Sequence, residues 1–211
     1  ISLERLTVSF AIGCFVIYLG VFTIAPYRLD STSVWSLLAI SSVVAVPGLR
    51  RIPWQQFATS IRSETHGLAT DKWAALLWFL MVTVALTSLL QALAPPNDYD
   101  SLAYHFALPK QFIRNGELEF IPRAIDGAIP LLIHMTYVIV YGLGGEMALT
   151  LWTGLVSTMA AAFLYVVARR YLDAEWAFVT ALLFVTTPAF IYGSVSGQVE
   201  TKLALFVMGA V

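Results

Sequence analysis

The chain has 211 residues, of which 59% are hydrophobic and 12% charged, with a mean hydropathy of +0.78. Globular domains carry about 25% charged residues, so an ordinary soluble enzyme domain, a disordered chain and a coiled coil are excluded. The 12 basic and 13 acidic side chains leave a net charge of −1, which excludes a basic nucleic-acid binder. The class that fits is all-α, a polytopic bundle of transmembrane helices.

A spanning helix needs about 20 mostly apolar residues. Leu6 to Ala25 meets this, and it shows no signal-peptide cleavage layout, so it is expected to stay in the membrane. Its lone cysteine, Cys14, excludes an intrachain disulfide and reads as a small buried or lipid-facing residue. Val34 to Leu49 is shorter, ends at Pro47-Gly48, and spans only with help from its flanks. Trp73 to Ala94 is a strong span closed by Pro95-Pro96, which cannot continue a helix. Ile129 to Leu143 is apolar but short; Met147 to Ala168 spans comfortably. Trp176 to Tyr192 spans with Pro188 near its end, and Leu203 to Val211 opens a further helix. The start at Ile1 and the stop inside an apolar run read as a piece of a longer protein. Three blocks follow: 1–94 with three helices, 95–146 as a large loop with interfacial or half-inserted helices, and 147–211 with further spans.

Charge sets an orientation, because cytoplasmic loops carry an excess of Lys and Arg. Arg50 to Lys72 and Arg169-Arg170 read as inner. The helix at Trp73–Ala94 then runs outward, and residues 97–128 lie outside. One crossing must return the chain to Arg169-Arg170. Only Met147–Ala168 is long enough, so Ile129–Leu143 is expected to lie half-inserted at the outer side. Residues 194–201 then return to the outer face. On this assignment the inner side holds seven bases (Arg5, Arg50, Arg51, Arg62, Lys72, Arg169, Arg170) and five acids (Glu4, Glu64, Asp71, Asp173, Glu175), net +2. The outer side holds five bases (Arg28, Lys110, Arg114, Arg123, Lys202) and eight acids (Asp30, Asp98, Asp100, Glu117, Glu119, Asp126, Glu146, Glu200), net −3.

The informative stretch is Pro95 to His105, where a spanning helix ends. Asp98 and Asp100 fall at the membrane boundary, and Asp100-Ser101 can cap a following helix. Leu102 and Phe106, four apart, share a face; Pro109 breaks the pattern; Asn115-Gly116 reads as a stop. A surface-lying amphipathic helix is expected here. Acids beside a helix end often serve only as caps. Against that bland reading, the loop is long, about 30 residues, as functional loops tend to be, and it is aromatic-rich and amphipathic, as expected for a surface that meets lipid head groups. Topology also returns Asp126 and Glu200 to its side. Converging carboxylates could act as a general base, or Asp100, Asp126 and Glu200 could hold a divalent cation near a phosphate.

His66, His105 and His134 form no zinc spacing. His105 could orient Asp100, but a hydrogen-bonding or interfacial histidine is the plainer reading, and His134 is equally ambiguous. His66 reads as a bystander. Gly142, Gly144 and Gly145 follow no strand, so they end a helix and make a tight turn rather than a phosphate loop. Trp73, Trp78 and Trp176 read as interface anchors.

Asp100-Ser-Leu-Ala-Tyr104-His105, directly after a membrane helix, resembles the first-loop motif of the GT-C membrane glycosyltransferases. The branch meant is bacterial glycosyltransferase family 39, similar to the protein O-mannosyltransferases and the lipid A aminoarabinose transferase. Asp100 matches the acid of the Asp-Glu-x-x-Tyr pattern and Tyr104 its aromatic, with Ser101 in place of Glu. The order continues with Asp126-Gly-Ala-Ile-Pro130-Leu131, with Ala168-Arg169-Arg170, with Thr187-Pro188, and with Glu200-Thr-Lys-Leu203-Ala204-Leu205-Phe206. Glu200 stands where Asp is usual, and Lys202 where Pro is usual. The resemblance covers about residues 95 to 211.

The resemblance implies a GT-C-like helical bundle in the cell membrane, with an outward-facing site. It implies sugar transfer from a polyprenyl-phosphate donor to an acceptor hydroxyl, with inversion. The acceptor is a glycan, lipid or protein; membrane lipids are the other partner, and nucleic acid is not. Asp100 would be the catalytic base or acceptor-positioning acid. Tyr104, His105, Asp126 and Glu200 would line the substrate site. Lys110, Arg114, Arg123 and Lys202 are candidates to help the departing phosphate, each with interfacial snorkelling as the equal alternative. A divalent cation is left open as cofactor. The competing readings are a transporter, disfavoured because the helix centres lack charge, and a scaffold or a polysaccharide polymerase or ligase.

Overall fold

A computed structural model describes residues 3–50, 55, 58–59, 72–122 and 132–210. Every regular element among them is helical. The elements are α1 (Leu3–Ile24), α2 (Ser31–Arg50), α3 (Lys72–Ala92), a π-helical turn (Ser101–His105), α4 (Ala107–Asn115), α5 (Leu132–Ala168), α6 (Ala174–Val185), α7 (Pro188–Gly193) and α8 (Glu200–Gly209). Among the described residues three stretches are long and apolar enough to cross a membrane: Leu3–Ile24, Lys72–Ala92 and Ile133–Ala168. Arg51, Arg62, Glu64, His66, Asp71, Arg123 and Asp126 lie outside the described residues, as do positions 129–131 of the expected half-inserted helix.

α5 is the hub, and it is not one rod. Gly144 and Gly145 leave helical geometry, Gly145 at φ 66°, a backbone that suits a residue without Cβ. Trp152 Nε1 donates to Thr136 Oγ1 at 3.1 Å across 16 residues. A straight helix would hold them about 24 Å apart, so the chain reverses at the glycine pair. The first arm, 132–143, lies antiparallel to the second, 146–168. It begins about one turn deeper than Trp152, rises to the glycine tip, and is buried throughout 133–139.

α1 packs along α5 with Thr7, Ala11, Cys14 and Val21, a spacing that puts them on one face. The face opposite keeps Ile12, Phe15, Val16 and Leu19 exposed. α2 and α3 do likewise, with Val43, Val44, Phe79 and Leu90 outward. Apolar residues around the whole circumference suit helices bathed in lipid rather than water. In such a solvent, association relies on close packing more than on burial of apolar area. Small residues supply it: Ala160 and Ala177 are fully buried, and Gly154 lies against Ala92 and Val195. Trp78 is half-buried, its ring packed on Phe178 with centroids 4.9 Å apart, while Trp73 and Trp176 stay exposed.

The expected span Trp176–Tyr192 is broken. Thr187 leaves helical geometry, its Oγ1 accepts from the Phe190 N–H, and Pro188 starts α7. Proline there has no N–H to satisfy, which favours a restart over continuation. α2 begins on a reciprocal cap: Asp30 accepts from the Ser33 N–H at 2.8 Å, and Ser33 Oγ accepts from the Asp30 N–H. The Ser33 hydroxyl and backbone, with Arg28, hold the Asp30 carboxyl down to about 2.

The bundle has two distinct ends. Thr150 Oγ1, near the glycine tip, donates to the Ala92 carbonyl at 2.6 Å, so the tip, the end of α3 and Asp100 share one end. At the other, Arg170 pairs with Glu4 at 2.6 Å.

Candidate functional site

The site is built where α3 stops. After Pro95-Pro96 the chain turns, and the Ser101 N–H donates to Asp98 Oδ1 at 2.8 Å. Asp98 therefore does the capping expected of Asp100, whose side chain makes no cap bond. This frees the Asp100 carboxylate. Its Oδ2 accepts from Gln198 Nε2 at 2.7 Å, and it is half-buried. Its Oδ1 has no hydrogen-bond partner among the described residues.

Asp100 opens a π-turn. The Phe106 N–H donates to the Ser101 carbonyl at 2.9 Å, five residues back. Single π-turns cluster at functional sites because they re-aim side chains out of helical register. The expected break in this region thus comes before Pro109: α4 starts at Ala107, and Pro109 sits in its first turn, where a missing N–H is harmless. Gly116 at φ 82° ends α4, and its N–H donates to the Phe112 carbonyl at 2.9 Å.

The wall facing the turn is the loop from Ser194 to Val199. The Gly197 N–H donates to Ser101 Oγ at 2.6 Å, and Tyr137 Oη donates to the Gly197 carbonyl at 3.3 Å. A Cβ on Gly197 would stand 2.5 Å from His105 Cβ and 2.9 Å from Ser101 Oγ, so only glycine allows this approach. Ser157 donates to the Ser194 carbonyl at 3.1 Å, and Thr201 to that of Gly193 at 3.1 Å. Lys202 is fully buried; its ammonium donates to the carbonyls of Gly193 and Ser196. It thus holds the C-terminal end of α7, where a cation complements the helix dipole. Lys202 neither snorkels to the surface nor stands free for a phosphate.

The other expected residues are placed as follows. Glu200 is exposed in the first turn of α8, and its charge reaches His105. Tyr104 is half-buried, its ring centroid 3.9 Å from that of His105. Lys110 bonds Glu146 at 2.8 Å, tying α4 to the glycine tip, and Glu146 raises its pKa. Arg114 is exposed in the last turn of α4. Among the described residues no three His, Cys, Asp or Glu side chains are grouped to hold a metal ion.

The histidines that lack a close spacing in sequence do meet. His105 Nδ1 and His134 Nε2 are 2.8 Å apart, and both rings are 2% exposed. Burial pushes the His105 pKa below its ordinary value, with Glu200 and Asp100 pulling partly back. Sequence reading also missed Gln198, Gly197 and Tyr137. None has a local pattern that marks it; Gly197-Gln198 looks like any turn. Below Asp100, an apolar groove of about 380 Å³ runs between α3 and the second arm of α5, lined by Met81, Val84, Leu89, Leu151, Leu155 and Phe190.

No family model, no curated protein and no solved structure matches this chain.

Proposed function

We propose that this chain belongs to a GT-C-type membrane glycosyltransferase, with Asp100 as the base or positioning acid for the acceptor hydroxyl. On this reading the hydroxyl oxygen attacks the anomeric carbon while its proton goes to Asp100. The bond from that carbon to the phosphate oxygen breaks, and its electron pair leaves with the polyprenyl phosphate. A weak hydroxyl nucleophile needs such a base within hydrogen-bond reach.

The observation that carries the reading is the state of Asp100. It is spared capping by Asp98, oriented through one oxygen by Gln198, and its other oxygen has no hydrogen-bond partner among the described residues. It stands at the end of a bundle whose outward faces are apolar. The groove between α3 and α5 gives a lipid tail a place beside that end. The sequence resemblance supplies the reaction class. Orientation toward the cell exterior belongs to the same proposal and rests on the charge bias of the loops.

The test is mass spectrometry of full-length protein with polyprenyl-phosphate sugars and a panel of glycan, lipid and peptide acceptors. A product heavier by one sugar supports the reading. Absence of transfer with every such donor removes it.

Transport is the second reading, favoured by the buried Lys202 and His134. Lys202 is committed to two backbone carbonyls, which suits a structural role better than an ion path.

A further inference from the structure

The turn carrying Asp100 is fixed on both flanks. On one flank Ser101 bonds Gly197. On the other stands the histidine pair, which the proposed chemistry leaves unused. Its rings are nearly coplanar, 18° apart, with centroids at 4.9 Å and facing nitrogens at 2.8 Å. That is an edge-to-edge N–H···N bond, not a face-to-face stack. It joins the last residue of the π-turn to the first arm of α5. The outer nitrogens, His105 Nε2 and His134 Nδ1, are buried without partners among the described residues. Among the described residues the shared bond is thus the pair's one hydrogen bond.

We propose that the His105–His134 pair is the positioning unit of Asp100, holding the π-turn against the buried arm of α5 through one hydrogen bond between neutral imidazoles. This deepens the glycosyltransferase reading and rests on it for the role of Asp100.

Three observations support it. First, two imidazoles this close and this buried cannot both carry charge. Around them, Asp98 and Asp100 come from the loop before the turn, Glu200 and Lys202 from α8, and Tyr137 from α5. Tyr104 lies alongside in the turn itself. Second, a neutral pair needs one proton between the rings, and either ring can donate it, so the bond survives tautomer exchange. Third, His134 sits among Met135, Thr136, Tyr137 and Val138, all buried, on an arm pinned by the Trp152–Thr136 bond. It is a fixed post for the turn to lean on.

The test compares His134→Gln with His134→Leu in the full chain. A glutamine amide nitrogen occupies nearly the place of Nε2 and keeps the hydrogen bond; leucine keeps the bulk alone. Transfer by the leucine variant is expected to fall about tenfold or more, in kcat rather than KM, and the glutamine variant to stay within about threefold of wild type. Amide exchange at 101–106 should quicken with leucine and not with glutamine, with 174–185 unchanged in both. If packing alone matters, the order reverses: leucine is tolerated, the buried amide of glutamine is not, and the proposal is overturned. Should either variant unfold, ¹⁵N-histidine spectra of the wild type decide. A shared N–H···N proton supports the pair, and two independent imidazoles refute it. If no donor is turned over by the wild type, the glycosyltransferase reading fails, while the exchange and ¹⁵N results still judge the pair.

Discussion

The two ends of the bundle are tied by different physics. At one end Glu4 and Arg170 form an ion pair with both side chains about half exposed, at 45% and 51%. The other has an exposed pair too, Lys110–Glu146, but there Ser101, Gly197, Tyr137, Ser157, Thr201 and Lys202 also interlock through buried hydrogen bonds. Water competes for the first tie and screens it, so such pairs contribute at most about 1 kcal/mol. It cannot replace the second, where each broken bond leaves a polar group unsatisfied, at about 1–3 kcal/mol. The difference teaches where position matters. The exposed end needs only attachment, whereas the Asp100 end is built to hold atoms in place.

That contrast can be broken or sharpened by substitution. Asp100→Asn should have the largest effect, a loss of transfer of about 10²- to 10⁴-fold with little change in melting temperature. Gly197→Ala drives a methyl into His105 and should destabilise by about 1–3 kcal/mol, read as a lower melting midpoint together with lost activity. Gln198→Ala removes the bond from Gln198 that orients Asp100 and should lower kcat about three- to tenfold without moving stability much. Arg170→Ala should cost at most about 1 kcal/mol, a difference that shrinks further in high salt. A substantial melting-point loss for Arg170→Ala, with none for Gly197→Ala, would reverse the comparison.

Acid should act at the buried end as well. The native pKa of His105 lies below its ordinary value of 6.5. Below that value the unfolded chain binds more protons than the folded one, so stability falls as pH drops through it and is regained above. Melting midpoints in detergent should be lower near about pH 5.5 than near about pH 7.5. His105→Asn should flatten that dependence.

Much of the bundle was legible in the sequence because long apolar helices write their length into hydropathy. Gly116 and Gly145 were legible too, since each marks a backbone turn that only its own neighbourhood demands. Local spacing misled at the cap, where Asp98 rather than Asp100 serves Ser101, and this decides whether the Asp100 side chain is spent on capping. Long-range pairs left no trace: His105 and His134 lie 29 residues apart, and Asp100 and Gln198 lie 98 apart. No periodicity encodes such meetings, which depend on how α5 folds back and where α7 ends. Lys202 misled by its type, because lysines near membranes usually reach for water, and here two helix-end carbonyls hold it inside.

The most direct measurement is the transfer rate of purified Asp100→Asn, prepared beside wild type and matched to it in helix content and melting temperature. With a polyprenyl-phosphate sugar that wild type turns over, the variant should form product at least about a hundredfold more slowly. A variant that is folded and transfers sugar at the wild-type rate would contradict the assignment of Asp100 as the reacting carboxylate.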